Sequence, residues 1–334
     1  ALAAFETWKN VPPAKRAAYL FKAAKVMRKK RFELNAVEIF EVGKTWTEAD
    51  GDVAEAIDFC EFYAREMLRY AQMKTAIQLP GEKNELVYLP LGVGVVIPPW
   101  NFPLAILAGM TTAAVVTGNT VVLKPSSDSP MTGFAFMEIL NEVGLPPGVV
   151  NFVSGPGSAV GDTLVRHPKV RFISFTGSKE VGIRIYEEGA KVRPGQTWLK
   201  RVVAEMGGKD SIIVDRETDL DEAVAGVTVA AFGFQGQKCS ACSRAIVDEK
   251  VYDRFLELLK KRVETITVGP ANNLSNFMGP VVNKGSMEKI LGYVETAVRE
   301  GGRLIAGGMR AQGEGYFIEP TVIADVDPKA TISQ

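Results

Sequence analysis

From Gly92 onwards the sequence alternates short apolar runs with longer amphipathic ones, and this rhythm restricts the chain to very few folds. Strands are predicted at 93–97, 120–123, 149–153 and 170–175, and helices at 104–117, 131–142, 159–167 and 179–188. Strands separated by helices of this length imply parallel β-α-β units with right-handed crossovers, because a parallel partner needs a long return connection. A second α/β segment starts near Gly207, with strands at 211–214 and 245–247 and helices at 220–233, 251–265 and 284–300. The expected division is a cofactor-type domain over 1–205 and a second α/β domain over 206–334.

Ahead of the first strand the pattern is helical. Pro12 and Pro13 open an amphipathic segment at 14–30, followed by others at 32–42 and 47–72. Between 72 and 90 the texture is polar and Gly/Pro-marked, with a short strand at Glu85-Leu86-Val87-Tyr88; this reads as an excursion from the main body towards an oligomerisation region. The basic cluster Arg28-Lys29-Lys30-Arg31 reads as the solvated end of a helix, where cations favour the dipole.

Charge narrows the function. The 39 Lys and Arg balance 39 Asp and Glu, so nothing steers the chain to nucleic acid or an anionic membrane. The apolar stretch 104–116 is interrupted by Gly109, Thr111 and Thr112 and is too short to span a bilayer. Three cysteines, Cys60, Cys239 and Cys242, fit a reducing compartment better than a disulfide framework. A chain that starts at Ala1 without methionine and stops at Gln334, just after Asp327-Pro328, reads as a piece of a longer protein.

The one histidine, His167, lies in an Arg-His-Pro stretch, so histidine-driven nucleophilic catalysis is nearly excluded. What remains is Cys239, 34 positions after Glu205 in Glu205-Met206-Gly207-Gly208-Lys209. A thiol nucleophile with a carboxylate base suits covalent chemistry on a carbonyl. Cys239 and Cys242 form a C-x-x-C, but a zinc site would need two further ligands and no second pair exists. The expectation is Cys239 alone as the reactive thiol, with Cys242 and Cys60 as packing residues and no metal.

Other motifs carry two readings each. Gly155-Pro156-Gly157-Ser158-Ala159-Val160-Gly161 joins a strand to a helix, as in a dinucleotide site or in a plain tight turn. Phe175-Thr176-Gly177-Ser178 opens a helix whose N–H groups suit a phosphate, or Ser178 is an ordinary cap. Lys124 ends a strand, at the edge where open α/β sheets bind ligands, or is a plain surface lysine. Asn101, fixed by Pro98-Pro99-Trp100 and Phe102-Pro103, either donates to an oxyanion or caps the next helix.

Taken together these motifs resemble the aldehyde dehydrogenase superfamily: Pro-Trp-Asn-Phe-Pro at 99–103, Lys-Pro-Ser-Ser at 124–127, Phe-Thr-Gly-Ser at 175–178, Glu-Met-Gly-Gly-Lys at 205–209 and Gly-Gln-Lys-Cys-Ser at 236–240. They fall in the family's order along the whole chain. The stretches 53–59, 194–201 and 235–241 are similar to the 1-pyrroline-5-carboxylate dehydrogenase branch. The resemblance implies an α/β fold, with a Rossmann-type cofactor domain and a second α/β catalytic domain.

It also implies roles. Cys239 is the nucleophile, Glu205 the general base, and Asn101 with the Cys239 N–H the oxyanion hole. Ile97, Pro98, Trp100, Lys124, Ser126, Ser127, Gly157, Gly161, Phe175 and Ser178 bind the cofactor; Glu55, Phe102 and Ser240 line the aldehyde pocket. The implied reaction oxidises L-glutamate γ-semialdehyde to glutamate through a cysteine thioester, with another semialdehyde such as succinic semialdehyde, transfer to coenzyme A, or a non-catalytic binding role as alternatives. Many NAD-preferring relatives carry glutamate where Ser127 stands, so NAD is expected first and NADP tolerated. A cytoplasmic homo-oligomer (mitochondrial matrix if eukaryotic) completes the expectation.

Overall fold

A computed structural model describes residues 1–72 and 74–334. Helices α1 (Leu2–Trp8), α2 (Pro13–Lys29), α3 (Arg31–Val42) and α4 (Trp46–Tyr70) lead the chain. Pro13 sits in the first turn of α2, where a missing N–H costs nothing. The helix buries Leu20, Ala23, Ala24 and Met27 on one stripe. At its basic end, Arg28 pairs with Glu61, Lys30 with Glu142 and Arg31 with Asp50. The excursion expected at 72–90 contains a short antiparallel pair, β1 (Lys74–Thr75) and β2 (Glu85–Leu86); its Met73 lies outside the described residues. The strand expected through Tyr88 ends at Leu86.

Five parallel strands follow: β3 (Val93–Ile97), β4 (Thr120–Leu123), β5 (Val150–Phe152), β6 (Phe172–Thr176) and β7 (Arg201–Glu205), in spatial order β5-β4-β3-β6-β7. Between them run α5 (Ala105–Val116), α6 (Pro130–Glu142), α7 (Asp162–Arg166) and α8 (Lys179–Ala190). The chain moves outwards from β3 to β5, then crosses to the other side of β3 for β6 and β7. The reversal of direction therefore lies between β3 and β6, the position where open α/β sheets leave a crevice beyond their carboxyl ends. At Gly94 a Cβ would lie 2.0 Å from the Phe172 ring, so a side chain here would force that ring aside.

Two local expectations change. The helix predicted from 159 begins instead as a wide π-turn, Gly157–Gly161, before α7. β7 is a further strand, whose residues alternate exposed and half-buried as an edge strand's do.

The remaining elements are β8 (Asp210–Val214), α9 (Leu220–Phe232), β9 (Cys242–Val247), α10 (Tyr252–Val263), α11 (Lys284–Arg299), β10 (Arg303–Ala306) and β11 (Val322–Ala324). β8 and β9 pair in parallel, β10 and β11 antiparallel. Asp219 caps α9 by accepting from the N–H groups of Asp221 and Glu222. The chain groups as Ala1–Val37 with Asp50–Met206, and Glu38–Ala49 with Gly207–Gln334. Residues 38–49 thus belong with the later unit, whereas the expected division at 205/206 assigns them to the first. Each unit has its own apolar core, one centred on Leu104, Leu123 and Phe136, the other on Val227, Phe232 and Phe255. No helix among the described residues is long and apolar enough to cross a membrane.

The start of α5 is held by Asp52 of α4. Its buried carboxylate accepts from the N–H of Ala105 at 3.0 Å and of Leu104 at 3.4 Å. Replacing Asp52 by alanine is expected to cost about 1–2 kcal/mol, the scale of a lost helix cap. Urea unfolding of the two proteins measures it, and equal midpoints would show that the cap contributes nothing.

Candidate active site

All five parallel strands end on one edge, and most of the predicted cofactor residues follow those ends. Ile97 closes β3 and leads into buried Pro98 and half-buried Trp100. Lys124 follows β4. It is only 4% exposed, its Nζ donates to the Pro125 carbonyl at 3.0 Å, and burial lowers its pKa. Ser127, exposed on the same loop, donates to the Gly155 carbonyl at 3.4 Å, tying the loop after β4 to the loop after β5. The Ser126 hydroxyl accepts from the Asp128 N–H.

Around the π-turn, backbone comes close to Lys124: a Cβ at Gly161 would sit 3.9 Å from its side chain, and one at Gly157 would meet nothing within 4 Å. π-turns of this kind recur at functional sites because they leave backbone groups outside the regular ladder. Ser178 caps α8, its hydroxyl accepting from the Val181 N–H at 3.4 Å. The first N–H groups of α8 have no intrahelical acceptor and carry the positive end of its dipole. Phe175 is placed differently from the rest: it is buried in the core, and Gly177 folds over its ring, where a Cβ would lie 2.6 Å away. Glycines without Cβ, a buried lysine and a helix N-terminus along one edge suit a dinucleotide's phosphates and ribose.

At the start of α5 the Asp52 carboxylate accepts from the N–H groups of Leu104 and Ala105. Asn101 is half-buried in the bend before α5, and Phe102 beside it packs against the first unit's core. Glu55 lies one turn beyond Asp52 on α4 and is exposed. Glu205 is the exposed last residue of β7, and its carbonyl accepts from the Gly177 N–H at 3.0 Å.

Cys239 sits in the second unit, on the loop between α9 and β9. Of the three cysteines it alone is exposed. Burial pushes the Cys60 thiol up to about 12, so it stays protonated. Burial also raises the Cys242 thiol, which packs at the edge of the second core with its sulfur 3.5 Å from the Arg244 carbonyl.

The loop before Cys239 is wound unusually. Phe234 and Gln235 have φ of 48° and 58°, and Gly236 has 69°. Two successive non-glycine residues in the left-handed region cost about 1–3 kcal/mol each, so their surroundings must impose them. Phe234 is fully buried. Gln235 Nε2 donates to the carbonyls of Pro280 (2.7 Å) and Gly43 (3.3 Å). The Gln237 amide oxygen accepts from the Val282 N–H at 3.1 Å. Ser240, exposed, stands next to Cys239 in the turn closed by the Ala241 N–H on the Lys238 carbonyl. Gly208 adds a close approach, since a Cβ there would lie 2.9 Å from the Cys239 carbonyl oxygen.

Sequence reasoning missed Asp52, Gln235 and Gly208 as supports. The one available signal was the glycine pair after Glu205, which marks a backbone pressed against a neighbour. No group of three or more His, Cys, Asp or Glu among the described residues is gathered for a metal ion.

Comparison with known proteins covers the whole chain. The family model described as "Aldehyde dehydrogenase family" matches residues 1–334. The chain belongs to the aldehyde dehydrogenase family. It is 54% identical over 331 residues to the 1-pyrroline-5-carboxylate dehydrogenase of Geobacillus thermodenitrificans, covering 99% of this chain and 64% of that one. It superposes with a TM-score of 0.98 on the Thermus 1-pyrroline-5-carboxylate dehydrogenase with bound NAD, at 52% identity, over 100% of this chain and 64% of that one. Proline utilization A from Bdellovibrio bacteriovorus matches with a TM-score of 0.97 at 48% identity, over 100% of this chain and 35% of that one. The chain thus spans 64% of the length of the curated relatives it matches.

Brief treatment with iodoacetamide near pH 8 is expected to label Cys239 ahead of Cys60 and Cys242, because only its thiol is exposed. Peptide mass spectrometry reads the order, and earlier labelling of Cys60 or Cys242 would remove the basis for a reactive Cys239.

Proposed function

We propose that the full-length protein oxidises L-glutamate γ-semialdehyde, the open form of 1-pyrroline-5-carboxylate, to glutamate with NAD. The observation that carries this reading is Cys239, the one exposed thiol, presented on a loop held in strained left-handed backbone. Relatives named 1-pyrroline-5-carboxylate dehydrogenase, at 54% identity across 99% of the chain, support the substrate.

In this reading the Cys239 thiolate adds to the aldehyde carbon, and the resulting oxyanion accepts from the Asn101 amide and the Cys239 N–H. When bound, the nicotinamide ring supplies the acceptor for the hydride that the thiohemiacetal must lose. Glu205 then takes a proton from water, which attacks the thioester, releases the carboxylic acid and frees the thiol. Lys124 holds ribose hydroxyls, and the start of α8 at Ser178 faces the pyrophosphate. Ile97, Pro98, Trp100, Ser126, Gly157 and Gly161 shape the surrounding edge, while Phe175 supports it from the core. Glu55, Phe102 and Ser240 border the aldehyde. A cytoplasmic homo-oligomer belongs to the same proposal; the exposed apolar run Leu86, Val87, Tyr88 and Leu89 supports self-association.

Cys239→Ala in the full-length protein is expected to lower turnover of 1-pyrroline-5-carboxylate by about a thousandfold or more while NAD still binds. NADH absorbance and a binding titration read the two effects, and activity within about tenfold of wild type would remove Cys239 from this role.

Ser127 places no carboxylate at the adenosine ribose. NADP is therefore expected to support turnover, and Ser127→Glu to lower its kcat/KM by about tenfold or more through repulsion of the 2′-phosphate. Strict NAD specificity of the wild type would refute the tolerance.

A further inference from the structure

Residues 38–49 group with the second unit although they precede it by some 160 positions, and three of them reach the loop that carries Cys239. The Gly43 carbonyl accepts from Gln235, and the Lys44 ammonium stands 5.0 Å from the centre of the Phe234 ring. Glu48, in the first turn of α4, pairs with Lys238 at 2.7 Å, and the two side chains are only 23% and 22% exposed. A Cβ at Gly233 would lie 2.9 Å from Glu48 Oε1. The start of the loop is thus shaped around this carboxylate, since any larger residue at 233 would push it aside.

Lys238 is the residue immediately before Cys239, and its carbonyl closes the turn with Ala241 that holds Cys239 and Ser240. We propose that Glu48 is a positioning residue for Cys239. Through its ion pair with Lys238 it fixes the first residue of that turn, so the thiol is presented in one orientation, while Gln235 and Gln237 anchor the preceding backbone to Gly43, Pro280 and Val282. A partly desolvated pair at this distance holds geometry far better than an exposed one, and misplacing a nucleophile lowers the rate of attack without weakening cofactor binding. The inference rests on the reading of Cys239 as the nucleophile.

The test uses the full-length protein. Glu48→Gln and Lys238→Gln are each expected to lower kcat by about tenfold, leaving KM for NAD within about twofold. Because both act through one pair, the double variant should fall no further than the worse single one. Lys238→Arg, which keeps a cation facing Glu48, should retain kcat within about threefold. Thermal unfolding in parallel identifies any variant that does not fold, and the Lys238 series alone then decides. Single-variant kcat within about twofold of wild type, losses that multiply in the double variant, or an Arg variant as slow as the Gln variant would overturn the proposal. Cys239→Ala separates the two ideas. If it retains turnover, the nucleophile reading fails; if it abolishes turnover while the pair variants behave as wild type, only the role of Glu48 fails.

Discussion

Parallel pairing of five strands dictates what this chain can do. Each strand enters from the same side, so the five carboxyl ends share one edge and the loops that follow them face the same space. Reversal of strand order between β3 and β6 makes the loops on either side of that line diverge, which opens a crevice with no need for any particular side chain. Trp100 and Asn101 on one side of the line, and Ser178 on the other, inherit their positions from this topology. Gly94 on β3 lies against the Phe172 ring of β6, where a Cβ would lie 2.0 Å from it.

The second unit carries the loop with Cys239. Phe234 and Gln235 occupy backbone conformations that L-residues resist, and the opposing force is visible in burial of one side chain and double hydrogen bonding of the other. Strain of this kind persists only where the surroundings over-determine it. Gly43, with φ of 74°, and Pro280 supply the acceptors, and a Cβ on Gly43 would lie 2.9 Å from Pro280 Cγ. The turn at Gly43 and the loop at Pro280 are thus fitted to each other as well as to Gln235.

Legibility in the sequence follows from which interactions are local. The strands at 93–97 and 120–123 are readable because runs of β-branched residues lie between glycine signals, Gly92 before one and Gly118 before the other. Cys239 and Glu205 stand out in the sequence through their short motifs, Gly-Gln-Lys-Cys-Ser and Glu-Met-Gly-Gly-Lys. β7 was not readable, since Arg-Val-Val-Ala-Glu lacks the continuous apolar character of a central strand and becomes a strand only by pairing with β6. The grouping of 38–49 with the later unit was equally hidden. A helical period tells which face of α3 or α4 is buried, and not what covers it. The wide turn at Gly157–Gly161 escaped because glycine spacing alone does not distinguish π from α winding.

Asn101 and the cysteines show how burial divides residues that look alike in sequence. A short polar residue just before a helix normally reads as its cap, yet α5 starts under a carboxylate delivered from α4, 52 positions upstream of Leu104. Asp52 is buried and gains two backbone donors. The same logic separates the thiols. Burial raises the thiols of Cys60, among the packed helices, and of Cys242, against the second core, whereas Cys239 lies exposed on a turn.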